Sequence, residues 1–223
     1  MLISFFSYCL NLVVFIVTLF FILLICSCSE FKLKEGDLLF QDLDSSPICD
    51  AIESVTSGYK NHNISHIGII VQHRDSLFVL EAIPPKVQLS KLEKFLARSK
   101  DKNGNPKVMV GRLKQNFQHS IPTAIQFIKN QIDSEYDNEF IIKNNKYYCS
   151  ELIYDAFKKD NIFQLSKMNF KTESGEVHNA WSTYFRKLNM SIPQDSLGIN
   201  PANISKSNKI NIVHFYGNIT TKE

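Results

Sequence analysis

The sequence predicts an α+β domain in which a small antiparallel sheet has helices packed beside it. Two apolar runs at 67–71 and 77–83 read as strands, and the polar stretch 72–76 between them indicates a β-hairpin. Segments with helical spacing lie on either side of this hairpin. The predicted order is a helix, two antiparallel strands, a helix, a strand and two more helices, and this order favours the α+β class.

The elements before the hairpin are short. Gly36-Asp37 predicts a turn, and the apolar residues 38–40 after it predict a buried strand. Pro47 is typical of the first turn of a helix, which continues to Val55. Ser57-Gly58 ends this helix, and Gly58 is suited to a left-handed C-terminal cap.

The elements after the hairpin include three predicted helices. Residues 89–97 have helical spacing, and the turn-rich stretch 101–106 leads into a predicted strand at 107–113. Ser120 and Pro122 are typical of a helix start, and a further helix follows Cys149. Beyond residue 159 the pattern weakens to an aromatic patch (Trp181, Tyr184 and Phe185) and a final strand at 210–215.

The N-terminus predicts export. Residues 1–27 contain no charged residue or histidine, 10–25 is almost wholly apolar, and the run ends in Cys-Ser-Cys at 26–28. This pattern is typical of a lipoprotein signal peptide at 1–27, with Cys28 as the lipid-bearing residue, 28–35 as a tether and 36–223 as the domain. The alternative is an uncleaved transmembrane anchor. Both predict a membrane-anchored protein of a bacterial cell envelope, in the periplasm or at the cell surface.

Composition excludes some functions. The net charge is +3 with scattered lysines, so no basic stripe indicates nucleic-acid binding. Only Cys49 and Cys149 remain in the predicted domain, and they do not suggest a disulfide framework. No cofactor is expected. A metal site built from Cys149 and histidines 62, 66 and 73 lacks any standard ligand spacing, so no metal is expected either.

Cys149 is a candidate nucleophile. On the helix that it opens, Leu152, Ile153, Ala156 and Phe157 share one face, and Cys149 lies on the same inward side. The positive end of a helix dipole favours a thiolate, and the free N–H groups of the first turn can bind an oxyanion. The alternative is a small buried apolar residue, which is the usual role of a free cysteine.

The hairpin supplies a candidate base and its partner. If the chain reverses near residues 74 and 75, His66 lies opposite or diagonal to Glu81 on the same face of the sheet. Glu81 is the only charged residue between Ser76 and Lys86, so its carboxylate needs a partner. A hydrogen bond from His66 to Glu81 would leave the other ring nitrogen for Cys149.

Several motifs together resemble the YiiX/YebB-like permuted papain-like amidases of the NlpC-type cysteine peptidase superfamily. In sequence order, these motifs are GDLLFQ at 36–41, SHIG at 65–68, LEA at 80–82, YD at 136–137 and YYCSE at 147–151. The resemblance implies a circularly permuted papain-like fold, since His66 precedes Cys149. It also implies Cys149 as nucleophile, His66 as base and Glu81 as the third polar residue.

The resemblance leaves the substrate open, because relatives include peptidoglycan endopeptidases, amidases and acyl-transferring enzymes. The first hypothesis is a thiol amidase acting on a small peptide or lipid-like substrate of the cell envelope. The second is acyl transfer or lipid deacylation of the lecithin:retinol acyltransferase-like type, and the third is a non-catalytic lipid or peptide binding module. Three further residues are candidates to polarise the substrate carbonyl: Gln41, Tyr147 and Tyr148. Asp137 either orients a loop near the site or only forms a turn.

Overall fold

The computed structural model describes residues 31–222, and the residues from Leu33 onward form one compact unit. The predicted signal peptide and Cys28 lie outside the described residues. Within the described range, no helix is both long and apolar enough to cross a membrane. The strands are β1 (Leu38–Gln41), β2 (His66–His73), β3 (Ser76–Ile83), β4 (Lys86–Lys91), β5 (Val108–Leu113), β6 (Ser166–Lys167), β7 (Leu197–Gly198) and β8 (Ile210–Phe215). The helices are α1 (Pro47–Val55), α2 (Leu92–Leu96), α3 (Ile121–Lys129), α4 (Cys149–Phe157), α5 (Asn179–Lys187) and α6 (Pro201–Ser205), with short 3-10 turns at Tyr59–Asn61, Gln115–Ser120 and Lys158–Asp160.

The main sheet has six strands in the order β4-β3-β2-β1-β5-β8, and all neighbouring strands are antiparallel. β6 and β7 form a separate two-stranded ribbon. The sheet and its flanking helices confirm the predicted α+β class.

The β2–β3 hairpin has the register on which the site depends. Ile69 lies opposite Leu80, and the chain reverses through Arg74, whose φ of 53° suits the tight turn. Extending this register by one pair brings Gly68 opposite Glu81, and a Cβ built on Gly68 would lie 3.4 Å from the Glu81 Cβ. Glu81 is therefore diagonal to His66 on the same face, as the sequence predicted.

α4 packs against β2, β3 and α3 and carries the nucleophile candidate at its first residue. Its Leu152, Ile153 and Phe157 side chains are fully buried in one cluster with Ile67 and Ile69 of β2. Each such side chain contributes about 1.5–3 kcal/mol when removed from water. This apolar face fixes the position of the N-terminus of α4.

The predicted helix at 89–97 is wrong in its first part. Residues 86–91 form β4, which pairs with β3 so that Leu89 lies opposite Leu80 and Gln88 opposite Glu81. The chain reverses at Pro84-Pro85, and this second tight reversal brings residues 86–91 alongside β3, where strand pairing overrides their helical spacing. Only Leu92–Leu96 is helical.

The predicted left-handed cap at Gly58 is also wrong. α1 ends at Val55 with Thr56 in an extended conformation, and Gly58 has a φ of −81°. Glycine is needed at this position for another reason: a Cβ here would lie 2.5 Å from the Cδ1 atom of Ile64. Gly58 therefore permits the close approach of the chain that leads into β2.

Candidate active site

Cys149 opens α4 and is 6% exposed. The residues on both sides of it are tied to the same partner. The Tyr148 hydroxyl accepts a hydrogen bond from the N–H of Ile199 at 3.2 Å, and the Ser150 hydroxyl donates to the Ile199 carbonyl at 2.9 Å. These two bonds hold the thiol of Cys149 in place at the start of the helix.

His66 is the first residue of β2 and contacts both other members of the predicted triad. Its Nε2 atom lies 2.6 Å from the Oε2 atom of Glu81, which leaves Nδ1 free to serve the Cys149 thiol. Burial lowers the pKa of His66, but the hydrogen bonds to Cys149 and Glu81 outweigh this effect and raise the pKa from 6.5 to about 9. The ring is therefore an imidazolium at neutral pH.

Glu81 is fully buried and has a second partner that sequence reasoning missed. Two guanidinium nitrogens of Arg98 each donate to a different oxygen of the Glu81 carboxylate: Nη1 to Oε2 at 2.6 Å, and Nη2 to Oε1 at 2.5 Å. Burial raises the pKa of Glu81, but Arg98 and His66 lower it to about 2. Glu81 is therefore a carboxylate throughout the physiological pH range.

The ring of Phe95, a residue of α2, packs against the imidazole of His66. Its centroid is 5.8 Å from that of His66, and the Arg98 guanidinium lies 5.2 Å from the same Phe95 ring. Gly68 makes this packing possible, since a Cβ there would lie 2.4 Å from Val79 and 3.3 Å from the Phe95 ring. The glycine of the Ser-His-Ile-Gly motif thus leaves room for the residues that hold His66.

Tyr136 is a second residue whose role at the site sequence reasoning missed. It forms a parallel bridge with Tyr147, the residue two before Cys149, and its side chain lines the cavity above the thiol. Burial and the nearby Cys149 sulfur raise the pKa of Tyr136 well above 10, so its hydroxyl keeps its proton and can donate a hydrogen bond. The signal in the sequence was the Tyr-Asp motif at 136–137.

The thiol and imidazole face a cavity of about 460 Å³, a size typical of small-molecule sites. Among the described residues, those that line it include no Lys, Arg, Asp or Glu. Its apolar lining includes Leu43, Ile48, Ile52, Val55, Ile83, Phe140, Met168, Phe170, Trp181 and Ile199. Trp181 and Tyr184 of the predicted aromatic patch therefore line the cavity together with residues of α1, whereas Phe185 does not.

The three candidates to polarise the carbonyl are placed differently. Tyr148 lines the cavity, but Gln41 and Tyr147 do not. Gln41 is fully buried and its amide nitrogen donates to the Phe95 carbonyl at 2.9 Å, whereas Tyr147 packs edge-on against Phe127 of α3. The assignment of these two residues to the carbonyl stays a prediction, since their side chains have other contacts and do not line the cavity.

The remaining polar candidates have structural contacts. His62 packs against Phe215 and His73 against Phe78, and neither lines the cavity. Within residues 31–222, no group of three or more His, Cys, Asp or Glu side chains is arranged to hold a metal ion. Cys49 and Cys149 are both free thiols, and both line the cavity.

Asp137 and Glu151 hold the loop that precedes α4. The Asp137 carboxylate accepts hydrogen bonds from the N–H groups of Glu139 and Ile141 at 2.8 and 2.7 Å, so it orients this loop and also forms its turn. Glu151 accepts from the N–H of Lys143 at 3.1 Å. Burial is the main reason that the pKa of Glu151 rises to about 8.

Replacing Glu151 with glutamine is expected to flatten the pH dependence of stability. The pKa of Glu151 is higher in the folded than in the unfolded protein, so its contribution is full below pH 4.5 and is lost as the pH rises through about 8. Relative to the wild type, the Glu151→Gln protein should gain on the order of 1 kcal/mol in unfolding free energy between pH 5 and pH 8. Urea unfolding at several pH values measures this, and parallel curves for the two proteins would contradict it.

The fold and the site together define a class: an α+β papain-like protein with a thiol at a helix start and an imidazole on an adjoining strand. The sequence profile of the permuted papain-like amidase enzymes (YaeF/YiiX, C92 family) matches residues 32–214, so the chain belongs to this family. It is therefore a cysteine amidase or peptidase-type hydrolase.

A solved structure supports the fold. The crystal structure of the metalloprotein YiiX from Escherichia coli O157:H7 superposes with a TM-score of 0.66 at 20% identity, covering 83% of this chain and 98% of that chain. No curated protein matches this chain significantly. The family and this structure confirm the resemblance predicted from the motifs and the permuted papain-like fold.

Proposed function

We propose that this protein hydrolyses an amide or related acyl bond through Cys149 as nucleophile, His66 as acid and base, and Glu81 as the partner that orients His66. The observation that carries this proposal is the placement of His66, whose Nε2 atom lies 2.6 Å from Glu81 Oε2 and which lines the same cavity as Cys149, close enough for Cys149 to raise the pKa of the ring. An imidazolium beside the sulfur favours the thiolate, which is the reactive form.

The proposed reaction has two steps. The Cys149 thiolate attacks the carbonyl carbon, and the oxyanion is held by the N–H groups at the start of α4 and by the Tyr136 hydroxyl. The amine leaves with the proton of the His66 imidazolium, and a thioester remains on Cys149. Neutral His66 then takes a proton from water, the hydroxide attacks the thioester, and the acid and the thiolate are released.

The polarity of the cavity favours one of the two candidate substrate classes. Stem peptides of the cell wall carry carboxylates and amines, and apart from His66 and the Cys149 thiolate the described lining has no charged side chain to pair with them, so their burial is costly. An acyl chain suits the same walls, because burial of apolar surface is favourable. The largely apolar cavity therefore favours the second candidate function, deacylation or acyl transfer on a lipid-like substrate.

The proposed site of action is the cell envelope. The uncharged apolar segment 10–25 and Cys28 at the end of the signal pattern support a lipid anchor, which would tether the domain at a membrane surface. A tether of this kind would keep the enzyme near lipid-linked or envelope substrates. Metabolic labelling with a fatty-acid analogue tests the anchor, and labelling that survives Cys28→Ser would contradict it.

Thiol alkylation tests the proposed nucleophile, and Cys49 provides an internal control. Cys49 lines the same cavity and lies in the first turn of α1, but its sulfur neighbours are the Ser45 and Ser46 hydroxyls, at 3.6 and 3.4 Å. At pH 6.5, iodoacetamide should modify Cys149 at least about tenfold faster than Cys49, since only Cys149 has an imidazolium beside it. Peptide mass spectrometry measures both rates, and equal rates would contradict an activated nucleophile.

A substrate comparison separates the two candidate functions. Wild-type protein and the Cys149→Ala variant are incubated with lipid extracts and with muropeptides, and products are identified by mass spectrometry. Loss of an acyl chain from lipids in the wild type alone supports deacylation. Cleavage of muropeptides alone supports the peptide amidase and would contradict the argument from the cavity.

A further inference from the structure

Apart from the His66 imidazolium, Arg98 is the only cationic side chain that contacts the carboxylate of the proposed triad among the described residues. It lies just after α2, is 22% exposed, and bonds both oxygens of Glu81 while its NH2 group also lies 3.4 Å from the Ser90 hydroxyl. Neither Arg98 nor any residue of α2 lines the cavity, so Arg98 would not contact a bound substrate. Its influence on the reaction must therefore pass through Glu81.

The charges of the four linked groups suggest what that influence is. In the reactive form, Cys149 and Glu81 each carry one negative charge, and His66 and Arg98 each carry one positive charge. The group as a whole is then neutral, which suits a buried site where an unbalanced charge is costly. Without Arg98, the thiolate form would carry a net negative charge, and a proton on sulfur would restore neutrality.

We propose that Arg98 is a positioning residue of the reaction, which fixes both oxygens of Glu81 and supplies the positive charge that balances the Cys149–His66–Glu81 group in its thiolate form. This inference rests on the proposed function, since it gives Arg98 a role in the same Cys149–His66–Glu81 site. The other groups facing Glu81 do not supply such a charge: its β4 neighbours Gln88 and Ser90 are neutral.

The test measures the rate of Cys149 alkylation by iodoacetamide from pH 4 to pH 10, which needs no substrate. For Arg98→Gln, the midpoint of the rise in rate should move to higher pH by about one unit, as expected when an opposite charge is lost. Arg98→Lys keeps the charge and should keep the midpoint near that of the wild type. An unchanged midpoint in Arg98→Gln, or an equal shift in Arg98→Lys, would overturn the proposal.

Arg112→Gln is the matched control. Arg112 is exposed to the same degree, 21%, and it pairs with both oxygens of buried Asp37 at 2.7 Å, but this pair joins β5 to the start of β1 outside the cavity. Its loss should lower stability and leave the alkylation midpoint unchanged. An equal shift in Arg112→Gln would assign the effect to general loosening and overturn the proposal.

A double variant separates charge balance from packing. Arg98→Gln combined with Glu81→Gln removes one charge of each sign, so the midpoint should return toward that of the wild type. If the midpoint of the double variant equals that of Arg98→Gln, the charge argument is overturned. If Arg98→Gln does not fold, the double variant and Arg98→Lys still test the proposal. His66→Asn distinguishes the two proposals: a profile equal to that of the wild type would remove the proposed function itself, whatever Arg98 does.

Discussion

Replacing Cys149 with serine is expected to abolish turnover while leaving the fold intact. The substitution changes one atom at a position that is 6% exposed, and the bonds of Tyr148 and Ser150 to Ile199 do not involve the thiol. A hydroxyl does not ionise beside an imidazolium as a thiol does, so the nucleophile is lost. Removal of a nucleophile from a catalytic triad lowers kcat by about 10⁴-fold or more.

The measurement compares kcat and unfolding free energy for the wild type, Cys149→Ser and Cys49→Ser. Cys49 is the matched control, since it is also a buried thiol in the first turn of a helix and lines the same cavity. Cys49→Ser should keep most of the activity, and both variants should unfold within about 1 kcal/mol of the wild type. A Cys149→Ser protein that retains its full biological effect would support a non-catalytic binding module instead.

The parts of the site that sequence reasoning predicted depend on local structure. The partnership of His66 and Glu81 follows from a short hairpin, because a tight turn fixes its register and the alternation of side chains fixes the face. The place of Cys149 follows from the spacing of Leu152 and Ile153 on the same helix. Both predictions require only residues that are close in sequence.

The parts that were missed depend on contacts between distant segments. Arg98 reaches Glu81 only because residues 86–91 form β4 and carry α2 back over the sheet, whereas their spacing indicated a helix. Tyr136 reaches the cavity through its bridge to Tyr147, which no periodic pattern encodes. Gln41 lies opposite His66 in β1, yet its amide bonds the Phe95 carbonyl, and side-chain direction of this kind cannot be read from a motif.

Replacing His66 with asparagine is expected to lower kcat by about 10³-fold or more, since proton transfer and thiolate stabilisation are lost together. The pH dependence should change as well. In the wild type, the rate of acylation should fall as the pH rises through about 9, because His66 then loses the proton that the leaving amine needs. In His66→Asn this fall should disappear, and the alkylation rate of Cys149 should rise through the alkaline range as for an ordinary thiol.

The same substitution has a predictable effect on stability. The pKa of His66 is raised in the folded protein, so its contribution to stability is full below pH 6.5 and is lost as the pH rises through about 9. His66→Asn should therefore cost more unfolding free energy at pH 6 than at pH 10.

His73→Asn is the matched control, since His73 ends the same strand, is exposed and lies outside the cavity. If His73→Asn lowered kcat as much as His66→Asn, the loss would reflect damage to β2, and His66 would have no special part in the chemistry.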